Sequence, residues 1–213
     1  MNTANGDGRF LERQDYATIG EIIEPGSRVL DLGCGDGALL AFLMHEKNVD
    51  ARGVEIDRNL VQQAIARGAS VYQGDLAQSL ADYPDGAFDY VILSQTLQQV
   101  ARPRVILNEM LRVGRKMIVG FPNFGYWRIR AQYLLGGRAP KSRMFPYEWF
   151  DSPNIHVLTV EDFEALAAEE KWRIEQRIFL AGRRRVSLLG NLRAEVAVYV
   201  AQGARGATGG AKP

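Results

Sequence analysis

The chain has 213 residues, enough for one sizeable α/β domain and cramped for two. Its 26 Lys and Arg balance 25 Asp and Glu to a formal net charge of +1, so it offers no bulk field for nucleic acid or anionic lipid. Cys34 is the only cysteine, which excludes an internal disulfide and fits a reducing compartment. Residues 1–8 lack the basic-then-apolar pattern of a signal peptide. The longest apolar run, Ala38–Met44, is too short to span a membrane. A cytoplasmic location with no membrane or nucleic-acid partner is expected.

Residues 1–12 and 203–213 are rich in glycine and small polar residues and are expected to be disordered around one domain, 13–202. Within it, Tyr16–Ile23 reads as a helix stopped by Pro25 and Gly26, and Arg28–Leu32 as a short buried strand. Ala38–Met44 is too long and too poor in β-branched residues for a strand and reads as a helix. Ala51–Ile56 predicts a strand, Asn59–Arg67 a helix, Ser70–Gln73 a brief strand and Phe88–Leu93 another. Pro103 opens a helix over Arg104–Arg112, and Lys116–Phe121 predicts a fifth strand. An irregular, aromatic insert at 122–153 follows, with one helix near Tyr126–Leu135. Thr159–Asp162 has the form of a helix-capping signature that opens a helix to about Lys171. Trp172–Leu180 and Leu192–Ala201 predict two last strands around a hairpin-like turn at 182–185. The expected fold is α/β: a doubly wound, mostly parallel seven-stranded sheet that ends in an antiparallel hairpin.

The most informative stretch is Val29–Gly37. Gly33, Gly35 and Gly37 let the backbone approach a ligand at the carboxyl end of the first strand, where open α/β sheets bind theirs. A glycine turn alone says little, and Gly33, Gly35 and Ala38 also satisfy a dinucleotide pattern. Three acids narrow the choice. Asp31 lies inside an apolar strand, Glu55 ends the second strand where it could take both hydroxyls of a ribose, and Asp75 follows the third strand within reach of an adenine amine. Ile56 and Leu76 beside them could clamp the base, and Ser94 ends the fourth strand. Acids at 31 and 36 would repel a pyrophosphate and attract a sulfonium with an α-ammonium group. These residues describe S-adenosylmethionine or S-adenosylhomocysteine. A nicotinamide or flavin nucleotide and a vestigial pocket stay open, with Asp31 then capping a local turn and Asp75 a helix. Cys34 is a small residue under the turn whose pKa a nearby helix N-terminus could lower. No metal site is expected.

His156 is the better placed of two histidines for proton transfer; a purely structural role is the plainer alternative. His45 fits a helix C-terminus. The segment 121–147 carries Arg128, Arg130, Arg138, Lys141 and Arg143 with no acid, interleaved with Phe124, Tyr126, Trp127 and Tyr133. It is either a solvated face or a docking surface or carboxylate lid, since Arg and aromatics favour interfaces. Arg183–Arg185 reads as an exposed turn.

Taken in order, Val29–Gly37, Val54–Asp57, Gly74–Asp75 and Phe88–Asp89 resemble the motifs of class I S-adenosylmethionine-dependent methyltransferases. More narrowly, residues 13–185 resemble the methionine biosynthesis protein MetW family. That likeness rests on Leu32–Gly37, Leu93–Gln99, Phe121–Phe124, Tyr126–Trp127, Pro146–Tyr147 and Asp151–His156. It implies the seven-stranded methyltransferase fold, a role in methionine biosynthesis and a homoserine O-acyltransferase partner of the MetX type. It also marks Asn123, Tyr126, Trp127, Arg130, Tyr147 and Asn154 as substrate or partner candidates. The Asn-Pro-Pro-Tyr type motif of many amino-group methyltransferases is missing after the fourth strand. Three functions therefore stand side by side: a subunit supporting the acyltransferase, a methyltransferase acting on a small molecule, and a nicotinamide oxidoreductase, which Asp31 and Asp75 disfavour.

Overall fold

A computed structural model describes residues 16–142, 144–182 and 184–203. Arg143, Arg183, the stretch 13–15 and the two ends expected to be disordered lie outside the described residues, apart from Tyr16 onward and Gly203.

Residues 16–22 are helical (α1). Strand β1, Arg28–Leu32, leads through the glycine turn into α2, Ala38–Lys47; β2, Asp50–Glu55, into α3, Arg58–Ala66; and β3, Ser70–Gln73, into α4, Leu76–Ala81. Strand β4, Phe88–Ser94, passes through a single 3₁₀ turn, Leu97–Gln99, to α5, Pro103–Val113, and β5, Gly114–Pro122. Beyond it lie α6, Trp127–Gly136; α7, Val160–Glu169; β6, Arg173–Ala181; β7, Arg184–Arg185; α8, Gly190–Arg193; and β8, Val196–Gln202.

The strands form one sheet in the order β3-β2-β1-β4-β5-β8-β6-β7. The pairings among β1 to β5 are parallel. Strand β8 runs antiparallel between β5 and β6, which places the expected terminal hairpin in the sheet. The described sheet has eight strands where seven were expected. The extra one is the two-residue β7: Gly182, at φ +55, turns the chain so that Arg184 and Arg185 pair back onto Ala181 and Leu180. Leu192 and Arg193, expected to begin the last strand, belong instead to one helical turn, Gly190–Arg193, and β8 starts at Val196.

Strand alternation sorts the core into two layers. Leu30, Leu32, Val91 and Leu93 face a cluster containing Leu107, Met110, Phe121 and Phe163 on one side of the sheet. Val29, Tyr90 and Ile92 face Leu39, Leu40 and Leu43 on the other. Helix α5 shows why it docks as it does: Ile106, Leu107, Met110 and Val113 recur at helical spacing and are all buried, and Pro103 occupies its first turn. The Thr159 capping signature forms, with Thr159 Oγ1 accepting from the Asp162 amide and the Asp162 carboxylate accepting from the Thr159 amide. Helix α4, not among the predicted elements though Asp75 was open as a helix cap, fills the crossover between β3 and β4.

Candidate functional site

The parallel strands bring the residues at the ends of β1, β2, β3 and β4 to one edge of the sheet, and the glycine turn is pinned there by backbone bonds. Gly33 and Cys34 both donate to the Val54 carbonyl, at 2.8 and 3.1 Å, which ties the turn to β2. All three glycines have positive φ, at +71, +56 and +74, but their surroundings differ. A Cβ on Gly33 would lie 2.8 Å from Thr96 Oγ1, and one on Gly37 would lie 2.7 and 2.9 Å from Ala64 Cβ and Cα on α3. Nothing lies within 4 Å of the corresponding point on Gly35. Gly33 and Gly37 are therefore packing glycines, and Gly35 faces open space at the mouth of the turn.

Asp31 is 3% exposed, paired in register with Gly53 on β2 and Ile92 on β4. Burial, and then the negative charge of Glu55, pushes its carboxyl up to about 7. No described cation offsets these two effects, so the site carries unneutralised negative potential. Glu55 is also buried, and its carboxylate already accepts from the amides of Gly35, Ile56 and Asp57 at 2.9, 2.8 and 2.9 Å. A carboxylate has roughly four acceptor sites. One is left for a ribose hydroxyl, fewer than the two hydroxyls expected from the sequence, unless the Gly35 amide lets go.

The remaining acids are committed to the scaffold. Asp36 accepts from the Ala38 amide and pairs with Arg67 past the end of α3, which partly offsets the charge the sequence suggested it would turn on a ligand. Asp75 Oδ1 caps α4 through the amides of Ala77 and Gln78, at 2.9 and 3.3 Å. That is the capping role left open above; Oδ2 takes no part in these two bonds. Between the two strand ends, Ile56 is 68% exposed, and Leu76 is half-buried. A branched apolar side chain in water next to a buried carboxylate is a ready face for a planar base. The Cys34 side chain packs against Gly53, where a Cβ would lie 2.5 Å from its Sγ. Burial and then Asp31 push its thiol pKa up, not down, so Cys34 is a protonated packing residue.

The edge at β4 adds Gln95 and Thr96 to the expected Ser94. Ser94 is half-buried beside Gly120, Gln95 follows at φ +54, and Thr96 roofs Gly33. A positive φ at a non-glycine residue beside a site was not visible in residue types. Gln98 is buried, and its main-chain carbonyl accepts from the Ile155 and His156 amides at 2.9 and 3.0 Å. His156 Nε2 lies 2.9 Å from the Val100 carbonyl. A carbonyl only accepts, so Nε2 carries the proton and Nδ1 is the one basic position left. The histidine thus clamps residues 155–156 to the turn after β4.

The insert candidates separate into two sets. Asn123 is 1% exposed. Its Nδ2 donates to the carbonyls of Asn191 and Ala194, both at 2.9 Å, and its Oδ1 accepts from Gly125 and Val160 at 2.9 and 3.2 Å. With every polar position filled, it is a scaffold hub and has nothing left for a substrate. Arg130 Nε donates to Gly125 O at 2.6 Å and holds the same loop. The Tyr126 hydroxyl is raised in pKa by burial and then by Glu195, its hydrogen-bond partner. Asn154 donates its amide to Ser152 Oγ. Trp127 and Tyr147 are about half exposed, at 48% and 49%, and face outward. Among the described residues no His, Cys, Asp or Glu cluster could hold a metal, and no helix is long and apolar enough to cross a membrane.

Comparison with known proteins fits this geometry. Residues 13–201 match the family model described as "Methionine biosynthesis protein MetW". The bifunctional methionine biosynthesis protein MetXA/MetW of Rhodopirellula baltica is 39% identical over 174 residues, covering 78% of this chain and 28% of that protein. Ajmaline N-methyltransferase of Rauvolfia serpentina is 30% identical over 93 residues, 40% of this chain and 31% of that one. The chain thus spans less than a third of the length of either relative. A SAM-dependent methyltransferase structure from Archaeoglobus fulgidus superposes with a TM-score of 0.68 at 16% identity, covering 91% of this chain and 93% of that one. That likeness establishes the Rossmann-like methyltransferase fold. With the family model spanning nearly the whole domain, the chain belongs to the MetW family of methionine biosynthesis proteins.

Proposed function

We propose that this chain holds S-adenosylmethionine or S-adenosylhomocysteine at the Gly33–Gly37 turn and supports a homoserine O-acyltransferase of the MetX type. One observation carries the partnership: the Rhodopirellula baltica relative bears MetXA and MetW on one polypeptide. Fusion raises the effective concentration of two modules for each other, which serves modules that work together. The pocket is supported by the open face over Gly35 and the buried, uncompensated Asp31. Asp31 suits the cationic end of the ligand, the last acceptor site of Glu55 suits a ribose hydroxyl, and Ile56 and Leu76 suit the base. When bound, S-adenosylmethionine would supply an electrophilic methyl group on a sulfonium. The balanced charge and single cysteine fit a cytoplasmic protein with no nucleic-acid or membrane partner.

The test is to run the chain with the acyltransferase on a sizing column and to assay acyl transfer with and without the chain and each nucleoside. Co-elution and a changed acyltransferase rate are expected. Separate elution with an unchanged rate contradicts the reading. The second reading is methyl transfer to a small molecule, favoured by the N-methyltransferase relative. Positioning can supply most of the rate of such an in-line displacement, so the missing amino-group motif does not exclude it. Methyl transfer to a small metabolite without co-elution would select it.

A further inference from the structure

The half-exposed Trp127 does not stand alone. It opens α6, and the Arg128 guanidinium lies 5.4 Å from its ring centroid. Across from it runs the connection between β6 and β8, and the two enclose a shallow groove of about 300 Å³ lined by Tyr126, Trp127, Arg184, Arg185, Ser187 and Arg193. Arg185 is held by Glu21. Arg128, Arg184 and Arg193 form no ion pair with a described acid. Among the described residues no acid lines the groove.

The same connection turns apolar residues outward. Leu188 and Leu189 are 69% and 67% exposed. Leu189 sits at φ +55, a region that a leucine enters only when its surroundings impose it. Here they do: its carbonyl accepts from the amides of Leu192 and Arg193, both at 2.9 Å. A Cβ on Gly190 would meet the Phe179 ring at 2.6 Å, so α8 lies tightly on β6. The Asn123 hub fixes the far end of α8 through Asn191 and Ala194. The backbone that carries Leu189 and Arg193 is thus fixed while their side chains are exposed, which lowers the ordering cost of binding.

We infer that Trp127, Arg184, Arg193, Leu188 and Leu189 form one docking surface for a face of the acyltransferase that carries carboxylates around an apolar anchor. The inference rests on the partnership proposed above and adds where the partner sits and what chemistry it presents. Charge complementarity selects the occupant: guanidiniums with no described acid partner take carboxylates in bidentate fashion, and Trp with Arg makes the strongest interface anchors. A free phosphate would satisfy the arginines and leave the leucines in water. The surface includes the 184–193 connection, of which residue types alone marked only the arginines at its start, as an exposed turn.

The test measures affinity of the full chain for the acyltransferase by titration calorimetry, for wild type, Trp127→Ala, Leu188→Ser and the double variant Arg184→Glu/Arg193→Glu. The double variant is expected to bind at least about 30-fold more weakly and each single variant about tenfold, as central anchors do. Wild-type binding should also weaken as salt rises from about 50 to about 300 mM. Melting curves and nucleoside affinity should stay at wild-type values, because none of these side chains reaches the glycine turn. If one variant misfolds, the remaining two decide. Wild-type binding with all folded variants equal to it overturns this surface and leaves the partnership standing. No wild-type binding overturns both. Variants that change only the oligomeric state of the chain alone would assign the surface to a second copy and overturn the proposal.

Discussion

Asp31 is the residue whose burden is hardest to justify by folding. It is buried in β1, close enough to Glu55 to feel its charge, and its carboxyl is raised to about 7. The unfolded chain releases this proton near 3.8. Between those two values the native state binds the proton and the unfolded state does not, so stability falls as pH rises from about 4 to 7 and then levels off. Asp31→Asn removes that loss. Its melting temperature should exceed wild type at pH 8, with the gap narrowing toward pH 5; a gap independent of pH, or a less stable variant at pH 8, would contradict the assignment. A residue that destabilises the apoprotein at neutral pH is consistent with a positively charged ligand. The same variant should therefore lose affinity for S-adenosylmethionine more than for the sulfonium-free S-adenosylhomocysteine. Asp31 and Glu55 were legible as acids out of place at strand ends. That Asp36 pairs with Arg67 and that Glu55 already holds three amides were not, because residue type does not say which partner a carboxylate takes, and for Asp75 it left the helix cap as one of two roles.

At the level of elements, the turn and the hub make opposite predictions about small substitutions. Gly35→Ala meets no neighbour and carries only the strain of its left-handed backbone, about 1 kcal/mol. Gly37→Ala adds a clash with the backbone of α3 and should cost about 3 kcal/mol or more. Urea melts of the two variants should separate accordingly, and equal losses would contradict the division of labour among the glycines. Asn123→Leu strands the amides of Gly125 and Val160 and frees two carbonyls that the side chain now serves. It should destabilise by about 3 kcal/mol or more. A near-neutral variant in the same melts would show that Asn123 is not the hub described. Long periodic elements such as α5 were readable because their buried residues repeat at helical spacing. Helix α4 was missed because its six residues give too little periodicity to read. The start of β8 was misread because Leu192 extends the apolar run of the strand, whereas Gly190–Arg193 form α8 on contacts from Asn123 and Phe179.

On the scale of the whole molecule, the sheet order sets one edge with the glycine turn, Asp31 and Glu55, and carries the Trp127 groove on the β5–β8–β6 side of the sheet. The alternation of strands and helices made the parallel half of this plan legible. The insertion of β8 between β5 and β6 was not legible, since antiparallel pairing order does not follow from local pattern. The groove was half legible: Trp127 stood out among the insert's aromatics, but its arginine partners come from 184–193, a segment about 60 residues away in sequence that only the fold brings near. The two regions give the molecule a ligand site and a partner surface that can be altered separately. The most direct measurement is calorimetric titration of the chain with S-adenosylmethionine, S-adenosylhomocysteine and NAD, repeated on Glu55→Ala. Micromolar or tighter binding of the two sulfur nucleosides, none of NAD, and at least about a tenfold loss in Glu55→Ala are predicted, the size expected when a charge-assisted hydrogen bond is removed. No heat with either sulfur nucleoside, or an unchanged affinity in a folded Glu55→Ala, would contradict the pocket.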